Sequence, residues 1–344
     1  MNQLRIKNFT PQADSHRPGP EFWGPSRKMS DGALLDLDRE QDALLPRPCK
    51  CPICSGRVIS FVANVYGWPI HECAACGVGF VWPQPQEKLL QSFYDAHYWA
   101  HYMGDERLLY YRPELCSHIF KRQAQCFDRI MKGRREARVL DIGSGDGTML
   151  RLLADIGYKN VLGIDINETN ARRARDLLGV PVETADFLRF DEGGWDAITL
   201  WAVIEHLSDP VEYLRHARKL LKPGGMFILM TGDNASAQAR VQGVLDMWVY
   251  PPEHLFYFTR RSLRSLYSEA GYSGFRCQLQ FQPLWKESAL WSLRMVEAMK
   301  ARLNTRGRFW RSVNSSLLVA LGFNGDANQG RSSRCSPAAP ASST

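Results

Sequence analysis

The chain has 344 residues, of which 44% are hydrophobic and 23% charged, an ordinary balance for a globular protein of one or two domains. Its formal net charge of +7 permits a polyanionic partner such as RNA but does not require one. No apolar run reaches the roughly 18 residues of a membrane-spanning helix, and no signal peptide is visible, so we expect a cytoplasmic protein.

Two cysteine pairs follow an N-terminal segment, residues 1–46, that is predicted to be a poorly ordered arm. The pairs lie in residues 47–84 with the spacing C-x2-C-x18-C-x2-C, which is typical of a zinc ribbon. Four thiolates would close a tetrahedral site to water, so the predicted Zn²⁺ is structural. Cys49 and His71 lie nearby and remain alternative ligands. The predicted ligands are Cys51, Cys54, Cys73 and Cys76.

Short apolar runs alternate with helical segments over residues 137–283, after a predicted helical linker or cap over residues 85–136 that includes a helix through Ile119–Met131. This alternation predicts an α/β domain with a parallel sheet and helices on both faces. A helix capped by Thr259 and a late strand, Gly274–Gln282, follow. The predicted earlier strands are Ala137–Ile142, Val161–Ile166, Ala197–Trp201 and Met226–Met230, and the predicted helices are Thr148–Ile156, Glu168–Leu178 and Pro210–Leu221.

The C-terminal part is predicted to lie outside the sheet. Residues 284–323 are basic and amphipathic, which predicts a helical extension able to contact a partner or a membrane surface. Residues 324–344 are predicted to be disordered. No final strand is evident in this part of the sequence.

A glycine turn follows the first predicted strand of the domain. Gly143, Gly145 and Gly147 let the backbone turn sharply and approach a ligand, with Ser144 between them. Asp141 precedes the turn, and its carboxylate suits the ammonium group of an amino-acid ligand better than a pyrophosphate, which it would repel.

Two further carboxylates follow, one at the end of the next predicted strand and one about twenty residues later. Asp165, followed by Ile166, is placed to accept hydrogen bonds from ribose hydroxyls. Asp186 and Phe187 could bind an adenine amine and its ring face. These residues predict a site for a nucleoside that carries an amino acid.

The order and spacing of these motifs resemble the class I methyltransferases. The resemblance covers residues 137–282 and includes the strand ending at Trp201 and the segment Leu220-Leu221-Lys222-Pro223-Gly224-Gly225. It implies a Rossmann-like fold and S-adenosylmethionine (SAM) as cofactor. The residues implied to bind SAM are Asp141, Gly143, Ser144, Gly145, Gly147, Asp165, Ile166, Asp186, Phe187 and Trp201.

Two Glu-His pairs are candidates for acid–base chemistry. Glu205-His206 follows the predicted strand Ala197–Trp201. This pair could line the cofactor pocket or cap the next helix, or it could take part in catalysis. The second pair, Glu253-His254, lies in a Pro-rich aromatic loop where a lid over the acceptor is expected. His254 could accept a proton while Glu253 orients it, or the loop could be structural.

The order of zinc ribbon, cofactor domain and Pro-Glu-His-Leu loop is similar to zinc-ribbon methyltransferases of bacterial sugar, polysaccharide and secondary-metabolite clusters. That resemblance implies Tyr250, Glu253 and His254 as catalytic residues and a small molecule or sugar as acceptor. The deoxysugar C-methyltransferases carry a large additional C-terminal domain, whereas about sixty residues follow the late strand here, so we expect O-methylation at least as much as C-methylation.

Three alternatives follow from the same residues. Magnesium-dependent methyltransferases carry Glu-x-x-Glu-His after the fourth strand, but Ala202 replaces the first Glu here, so we expect no catalytic metal. An RNA methyltransferase with a zinc ribbon is the second functional hypothesis, and nucleic acid is the less favoured partner. A non-catalytic binding module is the third. The sequence leaves the oligomeric state open.

Overall fold

The structure is a computed structural model that describes residues 48–65, 67–85, 90, 113–236, 239–240, 248–249, 251–282 and 315–325. The predictions for residues 1–46, for most of the linker, for Tyr250 and for residues 284–314 and 326–344 lie outside these ranges. Within them, no helix combines the length and apolar character that crossing a membrane requires.

The larger part of the described chain forms a seven-stranded sheet with helices packed against it. The strand order is β10-β11-β8-β7-β4-β5-β6, with β8, β7, β4, β5 and β6 parallel and β11 antiparallel to both neighbours. The strands are β4 (Val139–Ile142), β5 (Val161–Asp165), β6 (Val182–Thr184), β7 (Trp195–Trp201), β8 (Leu221–Gly232), β10 (Gly274–Gln282) and β11 (Ser315–Phe323).

The helices begin at residues whose side chains satisfy free backbone amides. Asn167, Asp209 and Thr259 each accept a hydrogen bond from the backbone amide three residues on, and Ser262 completes a capping box with Thr259. The predicted Thr259 cap is therefore confirmed. The helices are α1 (Pro113–Met131), α2 (Thr148–Asp155), α3 (Glu168–Arg173, continued by a π turn over Ala174–Leu178), α4 (Pro210–Leu220) and α5 (Arg260–Glu269).

Packing on both faces explains why the central strands are continuous apolar runs. One buried cluster includes Leu140 and Ile198, and a second, on the other face, includes Val139 and Ala197. Neighbouring residues of one strand thus enter different clusters, as the alternation of side chains along a strand requires. The predicted Rossmann-like sheet with helices on both faces is confirmed.

The C-terminal residues differ from the prediction. Ser315–Phe323 form β11, which lies antiparallel between β10 and β8, where a helical extension was predicted. Leu318, Val319 and Ala320 are fully buried. A strand covered on both faces shows no polar alternation, so its sequence cannot be distinguished from a buried helical segment by periodicity alone.

A second, smaller sheet precedes the domain in sequence. It is built from β1 (Ile59–Val65), β2 (Trp68–Cys73) and β3 (Gly79–Val81), all within the predicted ribbon. Its fourth strand, β9 (Phe256–Tyr257), comes from a segment between β8 and α5 of the larger domain. Backbone pairing between β3 and β9 therefore attaches the smaller sheet to the segment that connects β8 with α5.

Candidate active site and cysteine cluster

The glycine turn lies between β4 and α2 in left-handed backbone. Gly143, Gly145 and Gly147 have φ angles of 64°, 57° and 79°, a region that disfavours other residues. A Cβ at Gly143 would lie 2.8 Å from a Val203 methyl, and one at Gly147 would lie 2.6 Å from Val180. Conformation therefore favours glycine at all three positions, and lack of space also requires it at Gly143 and Gly147.

Asp141 lies at the end of β4, directly opposite Thr199 of β7. Its carboxylate accepts a hydrogen bond of 2.5 Å from the Thr199 hydroxyl, and its side chain is 2% exposed. Burial raises the pKa of Asp141 to about 7, while the Thr199 hydroxyl opposes this shift. A buried carboxyl that ionises near neutrality favours a cationic partner.

Asp165, at the end of β5, holds the glycine turn against the neighbouring strand. One carboxylate oxygen accepts from the Gly145 amide at 2.9 Å, and the other accepts from the Asn167 amide at 2.8 Å and the Asn170 side chain at 3.2 Å. Burial raises the pKa of Asp165, opposed by these donors. The carboxylate thus has a fixed position beside the turn.

The carboxyl ends of β5 and β6 carry exposed apolar side chains. Ile166 is 64% exposed and Leu188 is 38% exposed, whereas Phe187 is buried against the rings of Tyr213 and His216. Asp186 accepts from the Leu188 amide at 3.0 Å. The predicted ring contact from Phe187 remains a prediction, and Leu188 is an apolar candidate that the sequence interpretation missed.

Trp201 ends β7 next to the glycine turn. Its indole nitrogen is buried and has no hydrogen-bond partner among the described residues. Ala202 follows with φ of +56°, unusual for a residue with a Cβ. Such backbone places Val203 beneath Gly143 and leads into a single 3₁₀ turn, Ile204–His206.

The two Glu-His pairs, 48 residues apart in sequence, lie together in space. The His206 and His254 rings meet edge to face with centroids 4.7 Å apart, and Nδ1 of His206 lies 3.0 Å from the Glu253 carbonyl oxygen. Nδ1 of His254 lies 2.8 Å from the Trp248 carbonyl oxygen, and the His254 ring stacks on the Trp248 ring. Asp209, not Glu205 or His206, caps the next helix.

Glu205 completes this group. It is 1% exposed, accepts a hydrogen bond of 3.0 Å from the Thr231 hydroxyl, and its other carboxylate oxygen has no partner among the described residues. Burial raises the pKa of Glu205 to about 7 and lowers that of His254 to about 4. Burial, reinforced by the neighbouring His254, also lowers the pKa of His206. Both imidazoles are therefore neutral at pH 7.

These three side chains also form a possible ligand group. One potential ligand atom from each of Glu205, His206 and His254 lies within 4.8 Å of the others. Two imidazoles and one carboxylate are donors that suit a transition metal better than Mg²⁺, which prefers oxygen. The sequence did not predict this grouping, because His254 is distant from Glu205 in the chain.

The four predicted cysteines lie together in the smaller sheet. The sulfur–sulfur distances are 3.7 Å for Cys51–Cys76 and for Cys54–Cys73, and all four sulfurs lie within 4.8 Å of one another. A tetrahedral site with metal–sulfur bonds of about 2.3 Å requires sulfurs about 3.8 Å apart. The cluster therefore has the dimensions of a Cys₄ zinc site.

The two alternative ligands lie outside this cluster. Cys49 is exposed, and His71 lies in β2 between the rings of Phe61 and Phe80. Neither belongs to the group of four sulfurs. The geometry favours Cys51, Cys54, Cys73 and Cys76 over sets that include Cys49 or His71.

Residues 108–274 match a family model described as a methyltransferase domain. The ubiquinone biosynthesis O-methyltransferase of Caulobacter sp. strain K31 is 32% identical over 160 residues, which cover 42% of this chain and 63% of the relative. The enzyme of the same name from Caulobacter vibrioides is 34% identical over 129 residues, covering 34% and 50%. The chain therefore spans less than two thirds of the length of these curated relatives.

Among solved structures, the YcgJ protein of Bacillus subtilis has 16% identity and a TM-score of 0.44, over 60% of this chain and 99% of that one. The family match and the sheet order define residues 108–274 as a Rossmann-like methyltransferase domain. More particularly, the match indicates a class I, SAM-dependent methyltransferase domain.

Proposed function

We propose that this protein is a SAM-dependent methyltransferase that methylates a hydroxyl group of a small molecule. The observation that carries the proposal is the pair of buried carboxylates, Asp141 and Asp165, on either side of a glycine turn in a methyltransferase domain. Asp141 would attract the ammonium group of SAM, and Asp165 would accept hydrogen bonds from its ribose.

The adenine of SAM would lie at the next strand end. Ile166 and Leu188 offer exposed apolar surface to the ring, and Asp186 offers an acceptor for the exocyclic amine. Trp201 and Ser144 would contact the cofactor from the turn side. The three glycines would let the backbone approach SAM, and the buried Phe187 would support the neighbouring Asp186 without touching the cofactor.

The acceptor would approach the group formed by Glu205, His206 and His254. Methyl transfer from a sulfonium is an in-line displacement, and a hydroxyl nucleophile must lose its proton. Neutral His254 can accept that proton, whereas a charged imidazolium could not. The curated relatives are named as O-methyltransferases, which favours a hydroxyl over a carbon acceptor.

The proposal is tested with purified protein and methyl-labelled SAM against a panel of phenols and sugar alcohols. His254→Asn keeps an amide donor for the Trp248 carbonyl but removes the base, so we expect turnover to fall about 100-fold with SAM affinity unchanged within about twofold. Unchanged turnover would return His254 to a structural role. Failure to bind SAM or its demethylated product at millimolar concentration would overturn the whole proposal.

RNA methylation is the second class. It is supported by the net charge of +7 and by the cysteine module, which comprises the four cysteines and strands β1, β2 and β3. An RNA acceptor would be revealed by binding that weakens steeply with salt. Labelled methyl groups in small molecules but not in RNA would exclude it.

We also propose that the four cysteines bind one structural Zn²⁺. Their thiolates would fill all coordination positions, so the ion would stabilise the fold and would not contact substrate. Metal analysis should find about one zinc per chain, lost in Cys54→Ser. A second metal equivalent that disappears in His254→Asn would instead reveal an ion at the Glu205–His206–His254 group.

A further inference from the structure

We propose that the cysteine module takes part in assembling the acceptor side of the active site: its third strand holds β9, so metal loading determines whether His254 is kept against Glu205 and His206. The inference rests on the proposed zinc binding and adds a role for it in methyl transfer. "Acceptor loop" below means residues 251–258.

The first step is the backbone pairing between the two parts of the chain. Strand β3 of the cysteine module runs antiparallel to β9, with Gly79 opposite Tyr257 and Phe80 opposite Phe256. A further bond of 2.9 Å runs from the Val81 amide to the Leu255 carbonyl. The acceptor loop thus supplies the fourth strand, β9, of the module's sheet.

Leu255 connects this sheet directly to the site. Its carbonyl accepts from Val81 of the module, while its own amide donates to the Glu205 carbonyl at 2.7 Å. It is fully buried and follows His254 in sequence. A displacement of β3 would therefore reach the backbone of both Glu205 and His254 through one residue.

The metal-binding residues determine the position of β3. The Cys73 amide donates to the Val78 carbonyl at 3.0 Å, and the Gly77 amide donates to the Cys73 carbonyl at 2.8 Å. This tight turn contains Cys76 and ends one residue before β3. A strand of three residues has little stability of its own, and β3 is held on its other side by pairing with β2 over Ile70–Glu72. Because β2 ends at Cys73, the tight turn and β2 both meet β3 through cysteines that the metal would join.

Side-chain packing links the same elements. Cys73, Cys76 and Phe80 belong to one continuous buried cluster with Leu255 and Phe256. Cys51, Ile53 and the central strands of the large sheet belong to it as well. Motion of the cysteine turn therefore cannot be absorbed at a solvent-filled boundary, because closely packed interiors transmit displacement.

The first experiment removes zinc from the purified full-length protein and follows amide hydrogen exchange by mass spectrometry. We expect exchange in the acceptor loop to rise about tenfold or more and turnover to fall, while SAM affinity stays within about twofold. Restoring Zn²⁺ should reverse both changes. If zinc is lost and amide exchange in the acceptor loop does not change, the inference is overturned, while the proposal that the cysteines bind zinc still stands.

Because metal removal can unfold the module, a second experiment perturbs the strand pair alone. A Cβ at Gly79 would lie 3.1 Å from the Tyr257 Cβ, so Gly79→Val pushes β3 and β9 apart without touching a cysteine. We expect zinc retention, faster acceptor-loop exchange and turnover lowered by about 100-fold. Ser60→Val, at an exposed position of β1, is the matched control and should change none of these.

The outcomes separate the two proposals. If Gly79→Val resembles Ser60→Val in exchange and turnover, the strand coupling is wrong whatever the metal does. If the protein contains no metal at all, the zinc site and this inference both fail, while cofactor binding still tests the methyltransferase proposal.

Discussion

Glu205→Gln should remove a pH-dependent cost that the wild-type protein carries in its core. The wild-type carboxyl is 1% exposed, its pKa is raised by burial from 4.5 to about 7, and one of its oxygens lacks a partner among the described residues. Such a shift corresponds to about 3 kcal/mol of free energy of unfolding.

The sign follows from the direction of the shift. A group whose pKa is raised in the folded state binds its proton more tightly there, so its contribution to stability is complete below pH 4.5 and is lost as pH rises through 7. Glutamine keeps an acceptor for the Thr231 hydroxyl but never ionises. The difference in stability between Glu205→Gln and wild type should therefore shift in the variant's favour by about 3 kcal/mol, mostly between about pH 5 and pH 8.

Urea unfolding of the purified protein at about pH 5 and pH 8 measures the difference between variant and wild type, in which the other titrating groups cancel. Glu183→Gln, at an exposed position of β6, is the control and should stay within about 0.5 kcal/mol of wild type. If the stability of Glu205→Gln and that of wild type depend on pH in the same way, the raised pKa of Glu205 is refuted. A variant that is less stable than wild type at pH 8 would indicate that Glu205 compensates a cation.

Three further predictions concern the cofactor. Asp165→Asn should weaken SAM binding about 10- to 100-fold in calorimetry, because the amide cannot accept all the hydrogen bonds that the carboxylate accepts; a change below about twofold would argue against the ribose role. SAM affinity of the wild type should rise by up to about tenfold per pH unit as pH increases towards 7, because Asp141 must lose its proton to bind the ammonium group. Asp141→Asn should bind SAM weakly, with an affinity that does not change with pH. A wild-type affinity that does not change with pH would contradict this role. Leu188→Ala should weaken binding about fivefold by removing apolar contact with adenine, whereas Leu177→Ala, exposed in the π turn after α3, should have no effect; equal effects would remove Leu188 from the site.

The sequence was sufficient for the features that depend on local chemistry. The glycine turn, the Thr259 cap and the cysteine spacing each require particular residue types at fixed separations, so they can be recognised without coordinates. The alternation of buried strands and amphipathic helices likewise predicted the sheet. Each of these features depends on residues only a few positions apart in the sequence, or on a residue type, such as glycine, that few others can replace at that position.

The sequence was not sufficient where two distant segments had to meet. Residues 315–323 were predicted to be helical because a strand covered on both faces carries no alternating pattern, and only its insertion between β8 and β10 distinguishes the two states. Thr199 and Thr231 gave weaker signals, as single hydroxyls in apolar strands, and each becomes meaningful only as the partner of a buried carboxylate.

Local chemistry thus determined which residues are candidates to bind a cofactor and a metal. Tertiary structure alone decided that Glu205, His206 and His254 share one site, and that β9 belongs to the sheet of the cysteine module. The physical reason is that pairing between short strands and contact between buried side chains depend on the packing of the whole chain, which no spacing within a single segment encodes.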